Sequence, residues 1–198
     1  HPEKIINILF SGNYTSPLLR DILILVAYLL IGLFEAWLLF GKAWDKEPQR
    51  KAKIVRGMAF FLLPVAVLVH SVTAWIFGLQ VGRPFWFTGL MAPIFIASAL
   101  VSGLALLLLV MMAARRAGAV KLTEGHFTML GSLLAAFLAV DFFLFFSEIM
   151  TLNYAQGVEA FAWIQALTSG RFAAFFWVEV LLGVLVPFTI LVMPKLRT

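Results

Sequence analysis

Five stretches of this chain are apolar for long enough to cross a lipid bilayer. They run at about Pro17–Phe40, Val55–Leu79, Phe87–Ala114, His126–Tyr154 and Phe172–Met193. A transmembrane helix needs about 20 mainly apolar residues. Hydrocarbon offers the backbone no water, so N–H and C=O groups must pair within one segment or within a closed barrel. The alternating pattern of a barrel strand is not seen, so the spacing predicts helices and an all-α, polytopic transmembrane bundle of five spans. A further apolar piece, Ile5–Phe10, is too short to span. The basic start, apolar core and small-residue cleavage site of a signal peptide are not seen either. The chain opens on His1, from which we expect a processed, tagged or longer protein.

Composition narrows the function. Hydrophobic residues make up 63% of the chain and charged residues 13%, against roughly 45–50% and about 25% in a soluble domain. Disordered, collagen-like and ordinary cytosolic enzyme chains are excluded. There is no cysteine, so a disulfide framework, a thiolate zinc site and a cysteine-ligated iron–sulfur cluster are excluded too, and no metal site is expected. No phosphate loop, dinucleotide glycine motif or nucleophile–histidine–acid set is found, and no catalytic residue is assigned. The net charge of +5 reflects loop lysines and arginines of a membrane protein rather than a nucleic-acid partner.

Those basic residues orient the chain. Lys42, Lys46, Arg50, Lys51, Lys53 and Arg56 follow the first span, Arg115, Arg116 and Lys121 follow the third, and Lys195 and Arg197 follow the fifth. The opposite side holds Lys4, Arg20, Arg83 and Arg171. Eleven against four places the first side in the cytoplasm, the N-terminus outside and the C-terminus inside. The expected location is the cytoplasmic (inner) membrane.

Ionisable residues inside spans cost roughly 2.5–3.5 kcal/mol each at a helix centre. Four stand out as a ladder for protons: Glu35 in the inner part of span one, His70 and Asp141 near mid-membrane, and Glu148 in the outer half of span four. Asp141 and Glu148 are seven residues apart, two turns along one face and about 10 Å in rise. His70 and Asp141 are expected to pair, directly or through one water, because each is costly alone. The simpler reading is that a buried acid stays protonated and bonds a neighbouring helix. Glu179 is read as pairing with Arg171 or reaching the outer interface. Pro64 and Pro93 are expected to free helix carbonyls. Ser98, Ser102, Gly103, Gly131 and Ser132 are small enough for close helix contact. Phe85, Trp86 and Trp163 fall at the outer aromatic belt. A bis-histidine haem is not expected, since His70 is mid-span and His126 opens span four at another depth.

Several motifs run in order. They are Val69-His70-Ser71, Pro84-Phe85-Trp86, Pro93-Ile94-Phe95 and Ser102-Gly103, then an acid and a glutamate, Asp141 and Glu148, in the next helix. Upstream lies Ser16-Pro17-Leu18-Leu19-Arg20-Asp21 before a tyrosine-bearing span. In this order the chain resembles the NrfD family of quinone-interacting membrane subunits, also called the polysulfide-reductase membrane-subunit family. Its ten-helix branch, found in alternative complex III and in Hyb-type hydrogenases, carries these motifs. The resemblance is to the later part of such a subunit: one linking helix plus a four-helix bundle, divided at 1–56 and 57–198. The family's quinone site lies mainly in the first bundle, so no quinone-binding residue is carried across.

The resemblance implies a membrane subunit of a respiratory quinone oxidoreductase complex. It would link an extracytoplasmic iron–sulfur subunit to the quinone pool, menaquinone or ubiquinone, beside other membrane and catalytic subunits, with a proton pathway through Glu35, His70, Asp141 and Glu148 as an added element. This chain would hold no haem and no iron–sulfur cluster of its own. Half of an ion- or proton-coupled transporter is the alternative, since broken helices and midplane acids occur there too; a haem b anchor ranks third. The charge bias makes a direct prediction: Ala43–Arg56 and Ala117–Glu124 face the cytoplasm. Single cysteines there should resist an impermeant thiol reagent in intact cells and react after permeabilisation; labelling of the first loop from outside reverses the orientation.

Overall fold

The computed structural model describes residues 13, 15–41, 47–83, 85–155 and 158–193. Lys4, Lys42, Lys46, Pro84, Lys195, Arg197 and the piece 5–10 lie outside the described residues. All regular structure among the described residues is helical. Five helices are long and apolar enough to cross a membrane, at the five places expected, and the chain is a multi-pass membrane protein. It divides into two compact units, His1–Phe77 and Gly78–Thr198.

The first unit is built on α1, Pro17–Phe40, and α2, Pro48–Gly78. Both open on proline, whose missing N–H falls among the groups a first turn leaves unpaired anyway. Two bonds fasten them as an antiparallel hairpin. Near one end the Thr73 hydroxyl donates to Asp21 Oδ1 at 2.8 Å. Near the other, Lys51 Nζ donates to the Leu39 carbonyl at 2.8 Å, placing a cation on the negative end of α1. The hairpin's middle is apolar, and many of its leucines are exposed, as lipid-facing residues are.

Here the structure departs from the expected connection. Arg50, Lys51, Lys53 and Arg56 ride on the first turns of α2 rather than in a loop. Arginine, lysine, glutamine and alanine are good helix formers, so once Pro48 starts the helix nothing in Gln49–Lys53 stops it. At 31 residues, α2 is roughly 46 Å long, which outruns the hydrocarbon and leaves its basic end in water. Its chain continues helically through Pro64.

The second unit contains α3, Met91–Arg116, and α4, Glu124–Ala155, packed along each other. Then come α5, Val158–Thr168, α6, Ala173–Val178, a π-helical stretch Glu179–Leu185, and α7, Val186–Val192. The last three form one continuous span, Ala173–Val192. Pro93 proves to stand in the first turn of α3, where no intrahelical bond is lost, so it does not break a span as expected. The turn after α3 is closed by Gly118 at φ +71°. The Ala119 N–H reaches the Ala114 carbonyl at 3.0 Å and the Gly118 N–H reaches that of Arg115 at 3.1 Å. This six-to-one and five-to-two pairing satisfies the last carbonyls and needs a residue at ease in left-handed backbone.

Two elements depart from the hydropathy pattern. α5 occupies what reads as an outer loop, and at 11 residues it is about 16 Å long, too short to span. It packs its Ala160 and Ile164 on Leu152 of α4, with Phe85 and Ile149 closing the cluster. The π-helical stretch ends with the Val186 N–H bonded to the Leu181 carbonyl, five residues back. Pro187 follows at once and has no N–H to continue an α pattern; a wider turn is one way a membrane helix absorbs a proline.

Candidate functional site

The polar residues of the first unit cluster near the C-terminal turns of α2. His70 Nδ1 lies 2.9 Å from the Ala66 carbonyl. A carbonyl only accepts, so Nδ1 carries the hydrogen and Nε2 faces away from the backbone as the group open to other chemistry. One residue on, the Ser71 hydroxyl donates to the Val67 carbonyl at 2.7 Å. The Thr73 hydroxyl lies 2.9 Å from the Val69 carbonyl as well as beside Asp21. Glu35 lines a separate, apolar groove of about 780 Å³ between α1 and α2, with Tyr28, Gly32 and Ala66 among its walls.

The second unit holds the acids of α4. Asp141 is half-buried and lies within electrostatic reach of Glu179, the first residue of the π-helical stretch. Glu148, two turns on, is 8% exposed. Its Oε2 accepts a hydrogen bond from the Thr88 hydroxyl at 2.7 Å, while its Oε1 is buried with no partner among the described residues. The expected Arg171–Glu179 ion pair is not found among the described residues: the Arg171 guanidinium lies 4.6 Å above the Phe172 ring, and Glu179 lies within electrostatic reach of Asp141.

Trp86 and Trp163, expected at one interface, line one cavity of about 420 Å³ together with Arg83, Phe85, Leu167 and Phe172. Trp177 Nε1 donates to the Thr168 carbonyl at 2.9 Å and ties the start of the fifth span to the end of α5. His126 is held locally, its Nδ1 against the Thr123 hydroxyl at 2.7 Å. One small residue is not packed as expected. A Cβ built on Gly103 meets nothing within 4 Å, so no helix among the described residues approaches it closely. Ser102 bonds back to the Ala99 carbonyl at 3.2 Å. No group of three or more metal-ligating side chains is found among the described residues.

Residues 1–198 match the family described as polysulphide reductase, NrfD. The chain belongs to the NrfD family. This NrfD chain is similar to a candidate dimethyl sulfoxide reductase membrane subunit of Halobacterium salinarum, 35% identical over 211 residues, covering 99% of this chain and 48% of that protein. It is also similar to a selenate reductase subunit of Mesobacillus selenatarsenatis, 36% identical over 107 residues, covering 54% of this chain and 24% of that protein. The NrfD chain thus spans about half the length of the first relative and less of the second.

Two site residues escape a reading of polar positions along the chain. Asp21 is 8% exposed and sits on α1 opposite Thr73; in sequence it stands out only within a motif, because it lies close to a span's end. Thr88 precedes α3, and hydroxyl residues are too common to single out without a partner in space. The Asp21–Thr73 bond should be measurable. In a double-mutant cycle of Asp21→Asn and Thr73→Val, unfolding in detergent should give a coupling of about 0.6–1.7 kcal/mol, the range for hydrogen bonds between membrane helices. Additive losses would mean the two side chains act separately.

Proposed function

We propose that this chain is part of the membrane subunit of a respiratory quinone oxidoreductase complex. In it an iron–sulfur subunit on the outer face exchanges electrons with membrane quinone, menaquinone or ubiquinone. The observation that carries the reading is the family match along the whole chain, joined to relatives named as subunits of dimethyl sulfoxide and selenate reductases, the first of them a membrane subunit. With no cysteine in its sequence, the chain supplies no thiolate for a cluster, so the iron–sulfur clusters of the proposed complex would be held by partner subunits. The same match weighs against an unrelated ion-coupled transporter half.

The surface we assign to the iron–sulfur partner is the cavity rim made by Arg83, Phe85, Trp86, Trp163 and Phe172. Aromatic residues and arginine are enriched in interface cores. The proposed orientation puts this rim outside the cell, with the basic end of α2 and the α3–α4 turn in the cytoplasm.

A proton pathway through Glu35, His70, Asp141 and Glu148 completes the proposal. It draws support from an imidazole whose Nε2 is not used by its own helix, and from a pair of acids, Asp141 and Glu179, within reach of each other. A third acid, Glu148, has one oxygen unclaimed among the described residues. Two like acids at close quarters favour sharing a proton, because ionising both in a poorly solvated place is costly.

The test is Asp141→Asn in the purified complex. Quinone reduction in detergent should stay near the wild-type rate, while proton movement into proteoliposomes should fall roughly tenfold or more, as expected when a positioned proton carrier is removed. Unchanged proton movement would leave Asp141 a structural residue. Cross-linkers placed at residues 85 and 163 should capture an iron–sulfur subunit; capture only of cytoplasmic proteins would overturn the docking face.

A further inference from the structure

Among the described residues, Glu148 is the acid whose two carboxyl oxygens the structure sets apart in role. Oε2 receives the Thr88 hydroxyl at 2.7 Å, and Oε1 is buried and unclaimed among the described residues. A third group bears on the direction of the first bond. The Leu90 N–H donates to the same Thr88 oxygen at 3.1 Å. That takes one of the hydroxyl's two lone pairs and favours the arrangement in which Thr88 donates its own hydrogen to Glu148.

Thr88 is itself seated by a glycine. A Cβ built on Gly78, the last residue of α2, would fall 2.9 Å from the Thr88 carbonyl oxygen and 3.4 Å from Met91 Cβ. The first contact is closer than real Cβ atoms come to backbone. Only glycine lets the end of α2 lie against this turn, so Gly78, Thr88 and Glu148 form one connected device within the second unit.

We propose that Thr88 is the positioning residue for the Glu148 proton, seated by Gly78, an inference that rests on the proton-pathway reading above. A buried neutral carboxyl costs far less than a buried carboxylate, and a neutral carboxyl accepts best through its carbonyl oxygen. With the Thr88 hydrogen on Oε2, that oxygen is the carbonyl and the acidic hydrogen resides on Oε1. When the proton moves on, the Oε1–H bond breaks and the electron pair stays on the carboxylate. The proton passes to the next carrier, and the Thr88 bond to Oε2 stabilises the charge left behind. Return of a proton to Oε1 restores the starting state without any change in Thr88.

Infrared spectroscopy of the whole complex tests this, because it reads the Glu148 carbonyl stretch whether or not protons are pumped. The protonated-carboxyl band removed by Glu148→Gln is the reporter. Thr88→Val should move that band to higher frequency, since its carbonyl loses a donor, and Thr88→Ser should leave it in place. Gly78→Ala, which displaces the Thr88 backbone while keeping its hydroxyl, should shift the band in the direction of Thr88→Val. In proteoliposomes Thr88→Val should slow proton movement roughly tenfold, the loss of about one hydrogen bond to a charged group, and Thr88→Ser should restore it. The proposal is overturned if no band depends on Glu148, if Thr88→Val leaves the band unmoved, or if Thr88→Ser shifts it equally. A wild-type complex that moves no protons would remove the proposed route, while the infrared pattern would still decide whether Thr88 sets the Glu148 proton.

Discussion

The bilayer's lack of water governs how polar groups are disposed in this protein. A backbone or side-chain group that cannot reach solvent must find its partner in protein. Most hydroxyls in the spans meet that demand in the shortest way, by bonding the carbonyl four residues back. Ser71 to Val67, Ser132 to Thr128, Ser147 to Phe143, Thr151 to Ser147 and Thr189 to Leu185 all do so. Such a bond uses the one hydrogen that the hydroxyl can donate. Against that background two threonines stand apart, because each bonds an acid far away in sequence: Thr73 bonds Asp21 in the first unit, while also lying 2.9 Å from the Val69 carbonyl of its own helix, and Thr88 bonds Glu148 in the second.

The same constraint explains where prolines are tolerated. Pro17 and Pro48 open helices and Pro93 stands in a first turn, positions whose N–H groups have no intrahelical acceptor. Pro187 sits two residues past the end of seven residues of π-helix, where the bonding pattern has already widened. That wide stretch begins at Glu179, so the backbone irregularity and the acid near Asp141 coincide. A proline late in the fifth span thus accompanies a stretch whose first residue, Glu179, lies within electrostatic reach of Asp141 on α4.

For a membrane subunit of the proposed kind, the useful consequence is a division of labour. Glu35 lies in an apolar groove of the first unit, and His70 turns Nε2 away from its own helix. In the second unit Asp141 has an acid within electrostatic reach, and among the described residues Glu148 has a donor on one oxygen only. In the proposed pathway these are the groups that would hold and release protons. The aromatic cavity of the second unit, lined by Arg83, Trp86 and Trp163, suits contact with another protein better than proton chemistry.

Hydropathy along the chain was enough to determine five spans, because twenty apolar residues have few alternatives to a helix in lipid. It also exposed Glu35, His70, Asp141 and Glu148, whose types are rare in such segments, and the order of its motifs pointed to the NrfD family. The helix α5, the reach of α2 into its basic residues and the π-helical stretch before Pro187 were not legible, since each depends on hydrogen bonds or packing that hydropathy does not record. Partner choice was hidden for the same reason. Nothing local in sequence pairs Asp21 with Thr73, 52 residues away, or Glu148 with Thr88, 60 residues away. Sequence determined which groups must be satisfied inside the membrane; only the tertiary structure decided what satisfies them, because hydrogen bonds act over about 3 Å in space, whatever the distance along the chain.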